Sequence, residues 1–184
     1  MQVIAICGPK RVGKDTAASF FASCNFLHVK ISQPLKDVCG SLFGWSPQQM
    51  EEDIKDDIDP TWGISPRDAL KFVGTEMMQY KIQELLPNVG RRFWIDTLIK
   101  RLYKTNQNVV ISDMRFMHEY EALKSAFPNC LTTIKITRQT TTSTTTTADA
   151  HSSETEWMQI PEDVLITNDG TIQEMHDQLA KKIN

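Results

Sequence analysis

The residues of this chain best suited to chemistry lie near its start. Gly8-Pro9-Lys10-Arg11-Val12-Gly13-Lys14 fits the spacing G-x-x-x-x-G-K. Glycine at Gly8 and Gly13 permits backbone torsions and close approaches that a Cβ would block. Successive N–H groups can then converge on one anion, and a helix beginning there adds roughly half a positive charge. Lys14 supplies a mobile point charge for the outer phosphates. The general pattern places Ser or Thr after the lysine, with its hydroxyl on Mg²⁺; here Asp15 stands in that place and Thr16 follows. Asp15 can hold Mg²⁺ through oxygen or cap the helix, and the sequence leaves both readings open. Thr16 can offer its hydroxyl to a phosphate or simply fill the first turn.

A second group of polar residues lies further along. Ser112-Asp113-Met114-Arg115 follows the apolar run NVVIS, and in open α/β sheets ligands gather at the carboxyl ends of strands. Asp113 can accept a proton or orient metal-bound water, and Arg115 can clamp a phosphate; alternatively the two form a local ion pair. Lys36 and Arg67 each fall in the first turn of an expected helix, where a cation conflicts with the helix dipole unless an anion joins it. A solvated lysine or arginine is the plainer reading. Trp94 can stack on a base or belong to the core. Arg138 can neutralise charge on a transferring phosphoryl group or sit on the surface. His28, His118 and His176 read as structural or solvated.

These side chains need a frame, and the apolar pattern supplies one. Residues 2–7, 26–31, 108–112, 131–136 and 163–167 read as short buried strands. Residues 14–24, 34–43, 66–86, 92–104, 116–127 and 171–183 read as helices. Strand alternating with helix implies α/β architecture: a five-stranded parallel sheet covered on both faces. The acidic stretch 46–62 reads as exposed and mobile after a short helical turn. The threonine run 140–147 carries no apolar residue, and its flanking charges favour a mobile lid over about 138–157. The expectation is one domain over 1–184, with an acceptor-binding region at about 34–104.

The 184 residues suffice for one hydrophobic core. A net charge of -3 gives no general drive toward nucleic acid polymers. No apolar run reaches the roughly 20 residues needed to span a bilayer. The four cysteines form no Cys-x-x-Cys pair, so free thiols in the cytoplasm are expected. A homodimer is left open.

The run GPKRVGKDT, with aspartate after the lysine, resembles the viral and phage deoxynucleoside monophosphate kinases. The resemblance extends through PLKD at 34–37, Arg67 to Gly74-Thr75, FW at 93–94, SDMRFMHE at 112–119, ITR at 136–138 and VLITNDGT at 164–171. It implies the three-layer α/β/α fold of the P-loop NTPases. It places ATP with Mg²⁺ on Lys10, Arg11, Val12, Gly13, Lys14, Asp15 and Thr16. It places the dNMP acceptor near Lys36, Arg67, Gly74, Trp94, Asp113, Arg115 and Glu119, with Lys14, Asp113 and Arg138 in catalysis. Animal-type phosphomevalonate kinases are similar at G-K-D, P-L-K and S-D-x-R, so a small-molecule kinase of that kind is the runner-up. A nucleotide-binding module without catalysis and a structural protein with a relic cradle are the remaining readings.

Overall fold

The computed structural model describes residues 1–51, 54–138 and 155–183. The expected lid at about 138–157 therefore lies almost wholly outside the described residues. The chain divides into two compact units, Met1–Lys30 with Ile99–Asn184, and Ile31–Leu98.

The first unit holds the sheet. Strands β1 (Val3–Cys7), β2 (Leu27–Val29), β3 (Val109–Ile111), β4 (Leu131–Thr137) and β5 (Val164–Thr167) lie in the order β2-β3-β1-β4-β5. Every pairing is parallel, with Ala5 opposite Ile111 and Cys7 opposite Lys135. β1 is central, and all five of its residues are buried. That is why VIAIC reads as an unbroken apolar run rather than an alternating one. Helices α1 (Lys14–Ser23) and α6 (Ile172–Ile183) cover one face. Ala17, Ala18, Phe21, Met175 and Leu179 pack there on Ile4, Ile6, Val110, Ile134, Ile136 and Ile166. Each buried aliphatic side chain contributes on the order of 1.5–3 kcal/mol, so this cluster fixes the base on which the loops rest. Helix α5 (Met117–Ala126) contributes the buried Ala122 and Leu123.

The second unit contains α2 (Gln33–Phe43), α3 (Pro66–Lys71) and the start of α4 (Phe93–Leu102). Ser65 caps α3: its hydroxyl accepts the Asp68 N–H at 3.2 Å while the Asp68 carboxylate takes the Ser65 N–H at 3.3 Å. The expected single helix over 66–86 is three segments, with α3 followed by a π-helical stretch at Phe72–Tyr80 and a 3₁₀ turn at Lys81–Glu84. Gly74 lies in the π stretch, and a Cβ there would come within 2.6 Å of Leu35 Cδ2. The acidic stretch begins with a 3₁₀ turn at Gln48–Met50 and most of its described residues are exposed, as expected. Met50 is buried beside Trp45, Cys39, Ala69 and Val73, and the Trp45 indole N–H donates to Asp59 at 2.7 Å. Met50 is its one buried apolar anchor among the described residues, while Ile54, Ile58 and Trp62 stay exposed.

Candidate active site

The residues that follow the carboxyl ends of the five strands in the first unit all contribute to the candidate site. The loop after β1 is shaped from outside. A Cβ on Gly8 would collide with the Ile136 carbonyl oxygen of β4, and one on Gly13 would lie 2.7 Å from Asn168 Nδ2. Gly13 is the N-cap of α1 with φ 100°, and Arg11 adopts φ 62°. Left-handed torsions are natural for the glycine and cost an arginine on the order of 1–2 kcal/mol. No side chain caps α1, so its first-turn N–H groups are not taken by a capping oxygen.

Lys14 bends back over this loop. Its ammonium donates to the carbonyls of Gly8 at 2.9 Å and Pro9 at 2.6 Å. Burial lowers its pKa to about 8; the nearby Arg115 guanidinium pushes it further down, while Asp15 and Asp113 oppose the shift.

Asp15 turns its carboxylate toward β2 and β3. It accepts the Ser112 hydroxyl at 2.7 Å and pairs with the Lys30 ammonium at 3.1 Å. Partial desolvation raises its pKa, but the Ser112 hydrogen bond and Lys30 outweigh this and hold it below the usual carboxylate range. His28 Nε2 lies 2.8 Å from Ser112 Oγ. The serine has one proton and gives it to Asp15, so its oxygen must accept from His28, which places the imidazole proton on Nε2. Burial lowers the His28 pKa, with Asp15 opposing. From sequence His28 reads as structural or solvated, and nothing there singles out Lys30. Both stand at the end of an edge strand, and only the parallel pairing of β2 with β3 reveals what they face.

Asp113 is half-buried and Arg115 exposed just beyond β3. Glu119, in the first turn of α5, is buried, and its carboxylate accepts the N–H groups of Arg115 at 2.7 Å and Phe116 at 3.0 Å. Burial raises its pKa to about 7 despite those two hydrogen bonds. Glu119 thus shapes the loop that carries Arg115. Arg138 follows β4, and its Nε donates to the Asn168 carbonyl at 2.7 Å.

The other residues singled out from sequence lie in the second unit. The Lys36 ammonium pairs with Glu51, and the Arg67 guanidinium takes both carboxylate oxygens of Asp56. The acidic stretch therefore supplies the counter-charges for both cations. Trp94 is half-buried; its indole N–H donates to the Gly74 carbonyl at 2.9 Å, and its ring meets Phe93 edge to face. From sequence Trp94 reads either as a base-stacking or as a core residue; the hydrogen bond fixes one edge of its ring.

Residues 46–179 match the family model described as deoxynucleotide monophosphate kinase. A protein of Acanthamoeba polyphaga mimivirus, provisionally named a deoxynucleotide monophosphate kinase, is 31% identical over 196 aligned positions, covering 100% of this chain and 97% of the relative. This chain belongs to the deoxynucleotide monophosphate kinase family.

Solved kinases share the fold of this family member. A gluconokinase from Sinorhizobium meliloti 1021 superimposes with a TM-score of 0.52 at 12% identity, covering 99% of this chain and 91% of its own. The shikimate kinase of Aquifex aeolicus gives 0.52 at 13%, covering 99% and 96%. At such identities these likenesses speak for the fold alone: the α/β/α P-loop kinase arrangement around five parallel strands. The family and the fold together make the chain a phosphotransferase acting on a small nucleotide substrate. No helix among the described residues is long and apolar enough to cross a membrane.

Proposed function

We propose that this chain transfers the γ-phosphoryl group of ATP to a deoxynucleoside monophosphate, giving ADP and the deoxynucleoside diphosphate. The observation that carries this reading is the loop from Gly8 to Thr16. It leads from a central strand into a helix with no side-chain cap, and Lys14 is folded over it. In this reading the α1 N-terminus and residues Lys10 to Thr16 bind the ATP phosphates. Lys14 exchanges its two carbonyl acceptors for phosphate oxygens.

Asp15 suits Mg²⁺. Among the described residues no cluster of three or more His, Cys, Asp or Glu could enclose a metal. Mg²⁺, however, is commonly held by one or two carboxylates together with phosphate oxygens and waters. Asp15 offers one ionised carboxylate, oriented by Ser112 and Lys30. When bound, the ion would neutralise charge on the transferring group.

Phosphoryl transfer depends mainly on positioning and electrostatics, so no nucleophile–base pair need be sought. Arg138 is assigned to the transferring phosphoryl group, and Asp113 to the acceptor oxygen or metal-bound water. Lys36, Arg67, Gly74, Trp94, Arg115 and Glu119 are assigned to the acceptor, with Lys36 and Arg67 exchanging Glu51 and Asp56 for its phosphate. Family membership supports this acceptor class. A coupled ADP-release assay across all dNMPs and NMPs tests it, with turnover of at least one dNMP expected. Silence with every nucleotide, but turnover with phosphomevalonate, would replace the acceptor. ATP binding without turnover on any acceptor would leave a binding module.

A further inference from the structure

Asn168 opens the turn between β5 and α6 and is only 6% exposed. Three contacts converge on it. Its side-chain Nδ2 donates to the Val12 carbonyl at 2.8 Å, its backbone N–H donates to the Thr137 carbonyl at 2.8 Å, and its own carbonyl accepts Arg138 Nε at 2.7 Å. The amide orientation is dictated by the partner, because only the NH₂ end can bond a carbonyl. The contact with Val12 spans 156 residues of sequence, so local turn geometry does not account for it.

The Val12–Gly13 peptide is where this contact has its effect. The Val12 side chain is fully buried in the core beneath α1, so one end of the unit is fixed by packing. In a planar trans peptide the C=O and the following N–H point in opposite directions. Holding the Val12 carbonyl toward Asn168 therefore turns the Gly13 N–H away from it. We propose that Asn168 is a positioning residue for phosphate binding: through the Val12–Gly13 peptide it aims the Gly13 N–H at the nucleotide's phosphates. Its carbonyl seats Arg138 against the same reference point. The inference rests on the reading of the Gly8–Thr16 loop as the ATP cradle.

Two variants separate this role from simple support of the fold. Asn168→Ala removes the donor, and Asn168→Asp keeps the shape but sets a carboxylate against the Val12 carbonyl. Loss of one such buried hydrogen bond should weaken ATP binding, measured by calorimetry, about tenfold, more so for the aspartate. The KM for ATP should rise in step, and the KM for the acceptor should hold within about twofold. Wild-type ATP affinity in either folded variant, or an equal rise in both KM values, overturns the proposal. Should neither variant fold, nuclear magnetic resonance on the wild-type chain decides. The Asn168 side-chain amide protons are expected to exchange slowly, and the Gly13 amide resonance to move on ATP addition; an unmoved Gly13 resonance in ATP-bound protein overturns the proposal. Absence of ATP binding by the wild type would sink the cradle reading and this inference together. Wild-type binding with unaffected variants would sink this inference alone.

Discussion

Lys14 is partly buried over its loop and faces the Arg115 charge, and this sets its acid–base behaviour. With a pKa of about 8, it is mostly charged at neutral pH and loses its proton within the accessible range. A polyanion favours the charged form. ATP affinity should therefore stay level up to about pH 7 and fall as pH rises through about 8. Lys14→Arg, which stays charged, should remove that slope; calorimetry between pH 6.5 and 9 measures both. Lys14→Ala should lower turnover at least about a hundredfold while leaving circular dichroism unchanged. Glu119 behaves in the opposite sense to most carboxylates. Its pKa is raised in the fold, from 4.5 to about 7, so the folded state holds the proton more tightly than the unfolded chain. Its contribution is fully present below about pH 4.5 and is lost as pH rises toward 7, a change on the order of 3 kcal/mol. Glu119→Gln should flatten stability against pH in that window, as read from urea unfolding at several pH values. A slope unchanged by the substitution would remove Glu119 as its source.

At the scale of elements, the π-helical segment departs most from the sequence reading, and the acidic stretch supplies contacts the sequence does not show. Glu51 and Asp56 sit on Lys36 and Arg67, so in the proposed reading the acceptor phosphate displaces carboxylates. Glu51→Gln keeps the shape and removes the competing charge, and should lower the KM for the acceptor about two- to fivefold with kcat nearly unchanged. A raised KM would mean that Glu51 holds Lys36 in its working position. The inner strands were legible because a parallel sheet buries both faces, leaving short apolar runs such as VIAIC and VVI bounded by polar turns. The glycine loop was legible because its backbone demands appear directly as residue types. The π stretch was not, since a shift from i→i+4 to i→i+5 bonding leaves the apolar spacing of FVGTEMMQY almost unchanged. Ser112, His28 and Lys30 around Asp15 were hidden for a related reason: β2 and β3 are 80 residues apart in the chain and adjacent only through register, with Leu27 opposite Val109 and Val29 opposite Ile111.

For the molecule as a whole, a ligand that binds only the folded state must raise its stability. ATP at about a hundred times its dissociation constant should add roughly 2.7 kcal/mol. In a chain of this size that amounts to a rise in melting temperature of roughly 5–10 °C. The shift should vanish in Lys14→Ala, and its persistence there would place the nucleotide elsewhere. The torsion of Arg11 carries one more consequence, for anyone who would transplant this loop. Arginine does not choose φ 62° by itself, Gly8 is pressed by a strand and Gly13 by Asn168. The form of GPKRVGKDT is thus permitted by its glycines and held by its neighbours. Spliced into an unrelated scaffold without β4 and the β5–α6 turn, the same letters should relax to another shape, and the donors would scatter. The portable unit is the sheet edge with its loops, and the motif is only its visible label.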